Sequence, residues 1–492
     1  MRSMTLVKRA AFGVVIVSLV AFSTQLTAQN KQAADKIPIT TSSDEARTLY
    51  LKGRDLAEKL RATDARRVYE QAVAKDPNFA LGYVGLANTS GTNKEFVDAT
   101  TRAAALAGKV SEGERHMVLA LEAGLKGEPA KVLTHYTELV RLFPNDERAH
   151  NLLGNTYFGR QEYETAIKHY VRATTINPSF SPTYNQLGYA YRFMEKFSDA
   201  EQAFKKYTEL IPGDPNPYDS YAELLLKMGR FDESIKMYEK ALAVDPNFVA
   251  SYVGIGNDYL AMGRPDQART TFAKLASVAR TTGEKRQARF WNAASYVYEG
   301  ATDKALAELQ AGYDLAAANN DWGTMSGDLT QMGDILREAG RADEALKKYN
   351  EAVAAIDKAQ VPDELKQATR RNHVFEEGRI ALAKNDIATA KAKAAEYAKL
   401  VALKNVPFEV RQQHELSGMI ALSEKRYPAA VQEFAKANQQ DPKVLYMTGQ
   451  AWQAAGDAAK AKAFTDKATK FNGLSFNSAY VKSKASKTGT SF

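Results

Sequence analysis

The sequence predicts an all-α protein, a right-handed superhelical α-solenoid of about twelve helix-turn-helix hairpins stacked end to end. Three observations predict it. Prolines and aromatics recur at one fixed interval through the first half of the chain. Within one period the recurring positions fall at helical spacings. A series of small residues then carries the pattern almost to the C-terminus.

The prolines of Phe143-Pro144, Asn177-Pro178, Ile211-Pro212 and Asp245-Pro246 follow one another in steps of 34, as do Tyr136, Tyr170, Phe204, Tyr238 and Phe272. Counted from Glu147, one unit carries Leu153, Gly154 and Tyr157 at positions 7, 8 and 11, then Ala166, Tyr170, Ala173 and Pro178 at 20, 24, 27 and 32. The next unit repeats this with Tyr184, Leu187, Gly188, Tyr191, Ala200, Phe204 and Pro212. Positions 4, 7, 8 and 11 share one face of a first helix, and 20, 24 and 27 share one face of a second. Gly229, Gly263, Gly340 and Gly456 fall in the turn between them, where a permissive backbone is needed. The proline ends the second helix. The small residues at 8 and 20 mark the closest approach of the two helices, and the aromatics at 11 and 24 fill the wider space beside it. One such hairpin cannot bury its apolar face alone, so neighbours must stack.

Position 20 is followed through Ala65, Ala99, Val132, Ala166, Ala200, Ser234, Ala268, Ala305, Ala345, Ala390, Ala430 and Ala461, which makes twelve units. These offsets closely resemble the tetratricopeptide repeat family. The resemblance implies first helices that line a concave face, with positions 2, 5, 9 and 12 pointing into it, and a function of binding rather than catalysis.

The expected organisation is an export segment at 1–28, a flexible linker at 29–44, a regular array at 45–278, a stretched array at 279–472 and a Lys/Ser-rich tail at 473–492 with no capping helix. Arg2, Lys8 and Arg9 precede an apolar run from Ala10 to Phe22, followed by Leu26-Thr27-Ala28. This is the layout of a cleavable signal peptide. It predicts a periplasmic or secreted protein without a stable membrane span, since the run is shorter than the ~20 residues a bilayer needs. The net charge of +8 sits at the two ends, because the stretch 29–469 holds 59 basic and 58 acidic side chains. A neutral body predicts no nucleic-acid partner. With no cysteine, thiol chemistry is excluded.

No phosphate-binding loop, zinc-protease or serine-hydrolase motif is present. Gly254-Ile-Gly256 lies on a first helix and reads as close packing. His116 and His150 share position 4, and His135 and His169 share position 23. Equivalent residues of successive units are separated by an intervening helix, so these read as packing or surface histidines and predict no metal site. No catalytic residues and no cofactor are expected.

The candidate binding residues are those the offsets direct into the groove: Asn88, Arg148, Asn151, Asn155, Asn185, Tyr189, Arg192, Asp219, Glu223 and Asn257. Asparagine both donates and accepts, so it suits the main chain of an extended peptide, and arginine suits a carboxylate. The family's lysine-and-asparagine carboxylate clamp is not reproduced, because Asn151 and Asn216 stand where its basic residues belong. The reading is a non-enzymatic scaffold for a protein or peptide partner. A second reading is a solenoid for a small molecule or glycan, stacked on Tyr189, Tyr191, Tyr298, Trp291 or Trp322.

Overall fold

A computed structural model describes residues 35–487 of the chain. The expected export segment 1–28 lies outside the described residues. Among the described residues, twenty-four helices pair into twelve antiparallel hairpins, and a twenty-fifth follows them. Hairpins 1 to 4 are α1 (Asp44–Glu58) with α2 (Ala62–Lys75), α3 (Ala80–Asn88) with α4 (Asn93–Ala105), α5 (Glu112–Leu125) with α6 (Pro129–Leu142), and α7 (Glu147–Gly159) with α8 (Tyr163–Ile176). Hairpins 5 to 8 are α9 (Ser181–Phe193) with α10 (Phe197–Leu210), α11 (Asn216–Lys227) with α12 (Phe231–Val244), α13 (Val249–Ala261) with α14 (Pro265–Val278), and α15 (Thr282–Glu299) with α16 (Thr302–Ala317). Hairpins 9 to 12 are α17 (Trp322–Glu338) with α18 (Ala342–Lys358), α19 (Asp363–Ala383) with α20 (Ile387–Lys404), α21 (Pro407–Ser423) with α22 (Tyr427–Phe434), and α23 (Pro442–Ala454) with α24 (Ala458–Thr469). The last helix, α25, spans Phe476–Lys487.

Each of the twelve position-20 residues lies on the second helix of its own hairpin. Eleven of them are buried, and Val132 is half-buried. The position-8 glycines have a sharper role than helix approach. A Cβ on Gly154 would stand 2.5 Å from the Tyr170 ring, and one on Gly188 would stand 2.5 Å from Phe204. Gly333 with Tyr349 and Gly418 with Phe434 repeat the arrangement. The position-24 ring therefore lies flat on the first helix, and glycine is its seat. Gly256 seats Phe272 in the same way, and Gly254, two residues earlier, seats Tyr238 of the preceding hairpin. Eleven hairpins turn through one left-handed residue, which is glycine in six of them. In the other five it is Leu60, Gln161, Glu195, Asn385 or Lys425.

The array winds back on itself. Asn93 of hairpin 2 abuts Gly323 of hairpin 9, and Gly127 in the turn of hairpin 3 abuts Glu364 of hairpin 10. Gln161 in the turn of hairpin 4 donates to Asn438 between hairpins 11 and 12 (3.0 Å), and Lys467 of α24 pairs with Glu195 (2.9 Å). The second half of the array thus stacks on the edge of the first.

Two parts of the expected organisation are corrected. Residues 35–43, expected as flexible linker, run as an extended strap across the starts of hairpins 2 to 4. The Ser42 amide donates to Asp76, the Thr40 amide to Glu114 and the Ile37 amide to Asp146, at 3.0, 2.7 and 3.0 Å. Lys36 pairs with Glu147. Glu114, Asp146 and Glu147 stand at the starts of first helices, where negative charge is favoured, whereas Asp76 caps the end of α2 in the turn before hairpin 2. The tail, expected to lack a capping helix, forms α25. Phe476, Ala479 and Tyr480 make an apolar face that packs on α15, with the ring centres of Phe476 and Phe290 4.9 Å apart. The serines and lysines around these residues, such as Ser475, Ser478, Lys482 and Lys484, hid the period.

Candidate functional site

The first helices face an interior that the chain itself partly fills. At the N-terminal end the strap roofs a cavity of about 590 Å³. Its apolar wall comes from Ile37, Ile39, Tyr50, Leu81, Val84, Leu152 and Phe180. Five of the ten predicted site residues line it: Asn88, Arg148, Asn151, Asn155 and Asn185. They stand on α3, α7 and α9, at the offsets that a stacked array turns inward.

Their hydrogen bonding divides them. Asn155 accepts from Tyr170 (2.8 Å) and Asn151 accepts from Thr183 (3.1 Å), which leaves both amide NH2 groups for a ligand. Asn185 is 4% exposed, and its Oδ1 has no partner among the described residues. Arg148 is committed elsewhere. It grips Glu58 through two bonds of 2.7 and 3.1 Å, bonds Glu147 at 2.8 Å and stacks 4.9 Å above the Phe180 ring. It closes the cavity between hairpins 1 and 4 and does not offer a free clamp.

Tyr189, Arg192, Asp219 and Glu223 lie deeper and satisfy one another. Tyr189 donates to Glu223 at 3.1 Å, and Arg192 pairs with Glu223 at 3.0 Å while lying 4.8 Å over the Tyr189 ring. Asp219 accepts from Ser251 at 2.7 Å. Burial, reinforced by the Glu223 charge, pushes the Asp219 carboxyl up to about 8. Asn257 is buried and donates to the Val253 carbonyl of its own helix. The superhelix is tight enough there for Tyr189, Arg192 and Glu223 to meet each other, while Asp219 and Asn257 are taken up by Ser251 and Val253.

The histidines form pairs that the comparison of equivalent positions missed, because the partners stand on the two helices of one hairpin. His116 and His135 meet at 3.1 Å, and His150 and His169 at 3.2 Å, Nδ1 to Nδ1. Ring centres are 5.3 and 5.5 Å apart, so the nitrogens point head-on along the line joining the rings. That is the geometry of one N–H···N bond, not of two lone pairs converging on an ion. His150 Nε2 lies 3.1 Å from the Pro144 carbonyl, which only accepts. His150 therefore carries its proton on Nε2, and His169 donates to its Nδ1. Burial pushes all four imidazoles below their ordinary value.

Among the described residues no group of three or more potential metal-ligating side chains occurs, and no helix is long and apolar enough to cross a membrane.

Residues 154–192, 181–214 and 225–289 match tetratricopeptide repeat profiles. No curated protein matches the chain. Similar solved structures include a tetratricopeptide repeat protein from Parabacteroides merdae, 17% identical, covering 56% of this chain and 94% of that one with a TM-score of 0.36. TTC0263, a thermophilic TPR protein of Thermus thermophilus, is 19% identical, with coverages of 35% and 92% and a TM-score of 0.31. YrrB, described as a TPR protein with an unusual peptide-binding site, is 19% identical, with coverages of 37% and 91% and a TM-score of 0.26. With its glycine-seated rings and the three profile matches, the chain carries tetratricopeptide repeats within residues 154–289.

Proposed function

We propose that the protein is an exported, non-enzymatic scaffold that holds an extended polypeptide segment on its inner face. The docked strap carries this reading. The interior already binds an extended segment through main-chain amides, on carboxylates at the junctions of successive hairpins. Such contacts are blind to side-chain identity, so a partner segment that replaced the strap would find the same acceptors. Below the strap, the free amide groups of Asn151 and Asn155 extend the polar track, and the apolar wall takes side chains. Export rests on the basic start, the apolar run and Leu26-Thr27-Ala28 of the segment 1–28.

A full-length variant with Ile37→Asp and Ile39→Asp frees the strap. A labelled peptide of residues 35–43 should then bind it saturably by fluorescence anisotropy, and Glu114→Gln with Asp146→Asn should abolish that binding. Absence of saturable binding, or binding indifferent to the two carboxylates, refutes the proposal.

One observation favours the second reading, a small-molecule or glycan site. The volume of the strap-roofed cavity falls within the range of roughly 300–1,000 Å³ typical of ligand pockets. Its charged rim is paired off internally, so an uncharged ligand fits it. A compound that raises the melting temperature without any protein partner, and fails to do so in Val84→Trp, would establish that use.

A further inference from the structure

The C-terminal segment brings a second, smaller site into the interior. Phe471, Asn472, Gly473 and Ser475 lead into α25 and, with Ser478 and Lys482, close a cavity of about 20 Å³ against α13 and α15. That is room for about one water-sized sphere. Ser475, Ser478 and Lys482 follow one another at helical spacing and share one side of the segment. A long side chain on a helix leans toward its N-terminus, so Lys482 reaches back over the two serines.

Lys482 is unusual among the lysines of this chain. It is 6% exposed, and no carboxylate lies within ion-pair reach of it among the described residues. Burial alone pushes its ammonium down to about 8, so it still carries a proton at neutral pH. Lys227, pushed to a similar value, lies on the other side of the same segment, but its charge rests 3.8 Å over the Phe471 ring. Lys484, on the opposite side of α25 from Lys482, pairs with Glu338 at 2.6 Å. A buried cation without a counter-charge is costly, and a protein commonly supplies the partner.

The rest of the lining is made for the same sign of ligand. Asn257, Trp291, Tyr298 and Asn472 bring amide, indole and phenol groups to the lining, and Ser475 brings a hydroxyl. No acidic side chain is among the lining residues. Tyr298 is the other titratable group there.

We propose that this cavity binds one small monovalent anion, chloride, held by Lys482 and Ser475 against Asn257 and Trp291. The anion supplies the charge that Lys482 lacks and pins the tail helix inside the superhelix. An oxyanion such as phosphate is too large for the space. The site is separate from the strap-roofed cavity, so its fate does not bear on the peptide-binding reading.

The test compares thermal unfolding of the full chain in sodium chloride and in sodium gluconate at matched ionic strength. Chloride should raise the melting temperature saturably by several degrees over gluconate, and Lys482→Met should remove the difference. Superimposable chloride and gluconate series in the parent protein, or a chloride response that survives in Lys482→Met, overturns the proposal. Bromide soaked into crystals of the unmodified protein gives an independent readout that needs no variant. An anomalous peak beside Lys482 Nζ supports the site, and an empty cavity at saturating bromide refutes it.

Discussion

At Asp258, burial competes with a hydrogen bond. The Ser234 hydroxyl lies 2.9 Å from the Ala222 carbonyl and 2.8 Å from the Asp258 carboxyl, and it has one hydrogen to give. Ser234 donates to the Asp258 carboxyl, whose other oxygen, Oδ1, has no partner among the described residues. Burial outweighs that bond and pushes the carboxyl up to about 8. An acid raised in the folded state contributes stability that is complete below its unfolded value near 4 and fades as pH rises through about 8. Asp258→Asn should therefore flatten the fall in unfolding free energy between pH 5 and pH 8, as measured by denaturant titration at each pH. An unchanged slope would place the proton elsewhere. The histidine pairs act with the opposite sign. Their folded values are lowered, so their contribution is present above an unfolded value near 6.5 and is lost as pH falls. Ring-proton NMR titrations should put His150 and His169 below that value, and titration at or above it would contradict the head-on bond.

Within the hairpin, packing turns on a ring laid over a glycine and a small residue at position 20. Ala200 is fully buried beside Phe204, whose ring sits on Gly188. Ala200→Leu should overpack this hairpin and cost about 1–3 kcal/mol, read from a denaturant midpoint. Turns offer the reverse experiment. Lys425 holds a left-handed backbone that costs a non-glycine residue about 1–2 kcal/mol. Lys425→Gly should recover up to about 1 kcal/mol of it, the remainder being offset by glycine's freedom in the unfolded chain. A lowered midpoint would show that the Lys425 side chain outweighs the strain. The sequence marked turns only where glycine stood. The five non-glycine turns were invisible because their conformation is imposed by the helices they join.

Across the whole molecule, the second half of the superhelix is tied by charges buried in its interior. Asp334, Arg337 and Glu338 of α17 meet Glu376 and Arg379 of α19, and Lys443 of α23 bonds Glu338 at 2.7 Å. Through Lys484 the same network reaches α25. Removing one member leaves a buried carboxylate short of counter-charge: without Arg379, Glu376 keeps only Arg337 at 3.6 Å, so Arg379→Met should cost about 3–5 kcal/mol. A loss below about 1 kcal/mol by calorimetry would mean that water reaches the network. Asp334 and Arg379 both stand at position 9 of their units, yet the periodicity alone did not reveal the cluster, because which units meet depends on how far the superhelix turns.

The repeating unit was legible from the residues alone: twelve hairpins, their order, and which residues face their partners. Those properties are local, since a helical spacing and a small residue act within about one unit. What the inward faces meet depends on the superhelix as a whole. The pitch of the superhelix sums small rotations over many hairpins, and no single offset encodes it. That pitch left Asn151 and Asn155 beside open space, brought Arg192 against Glu223, and drew both the strap and the tail helix into the interior.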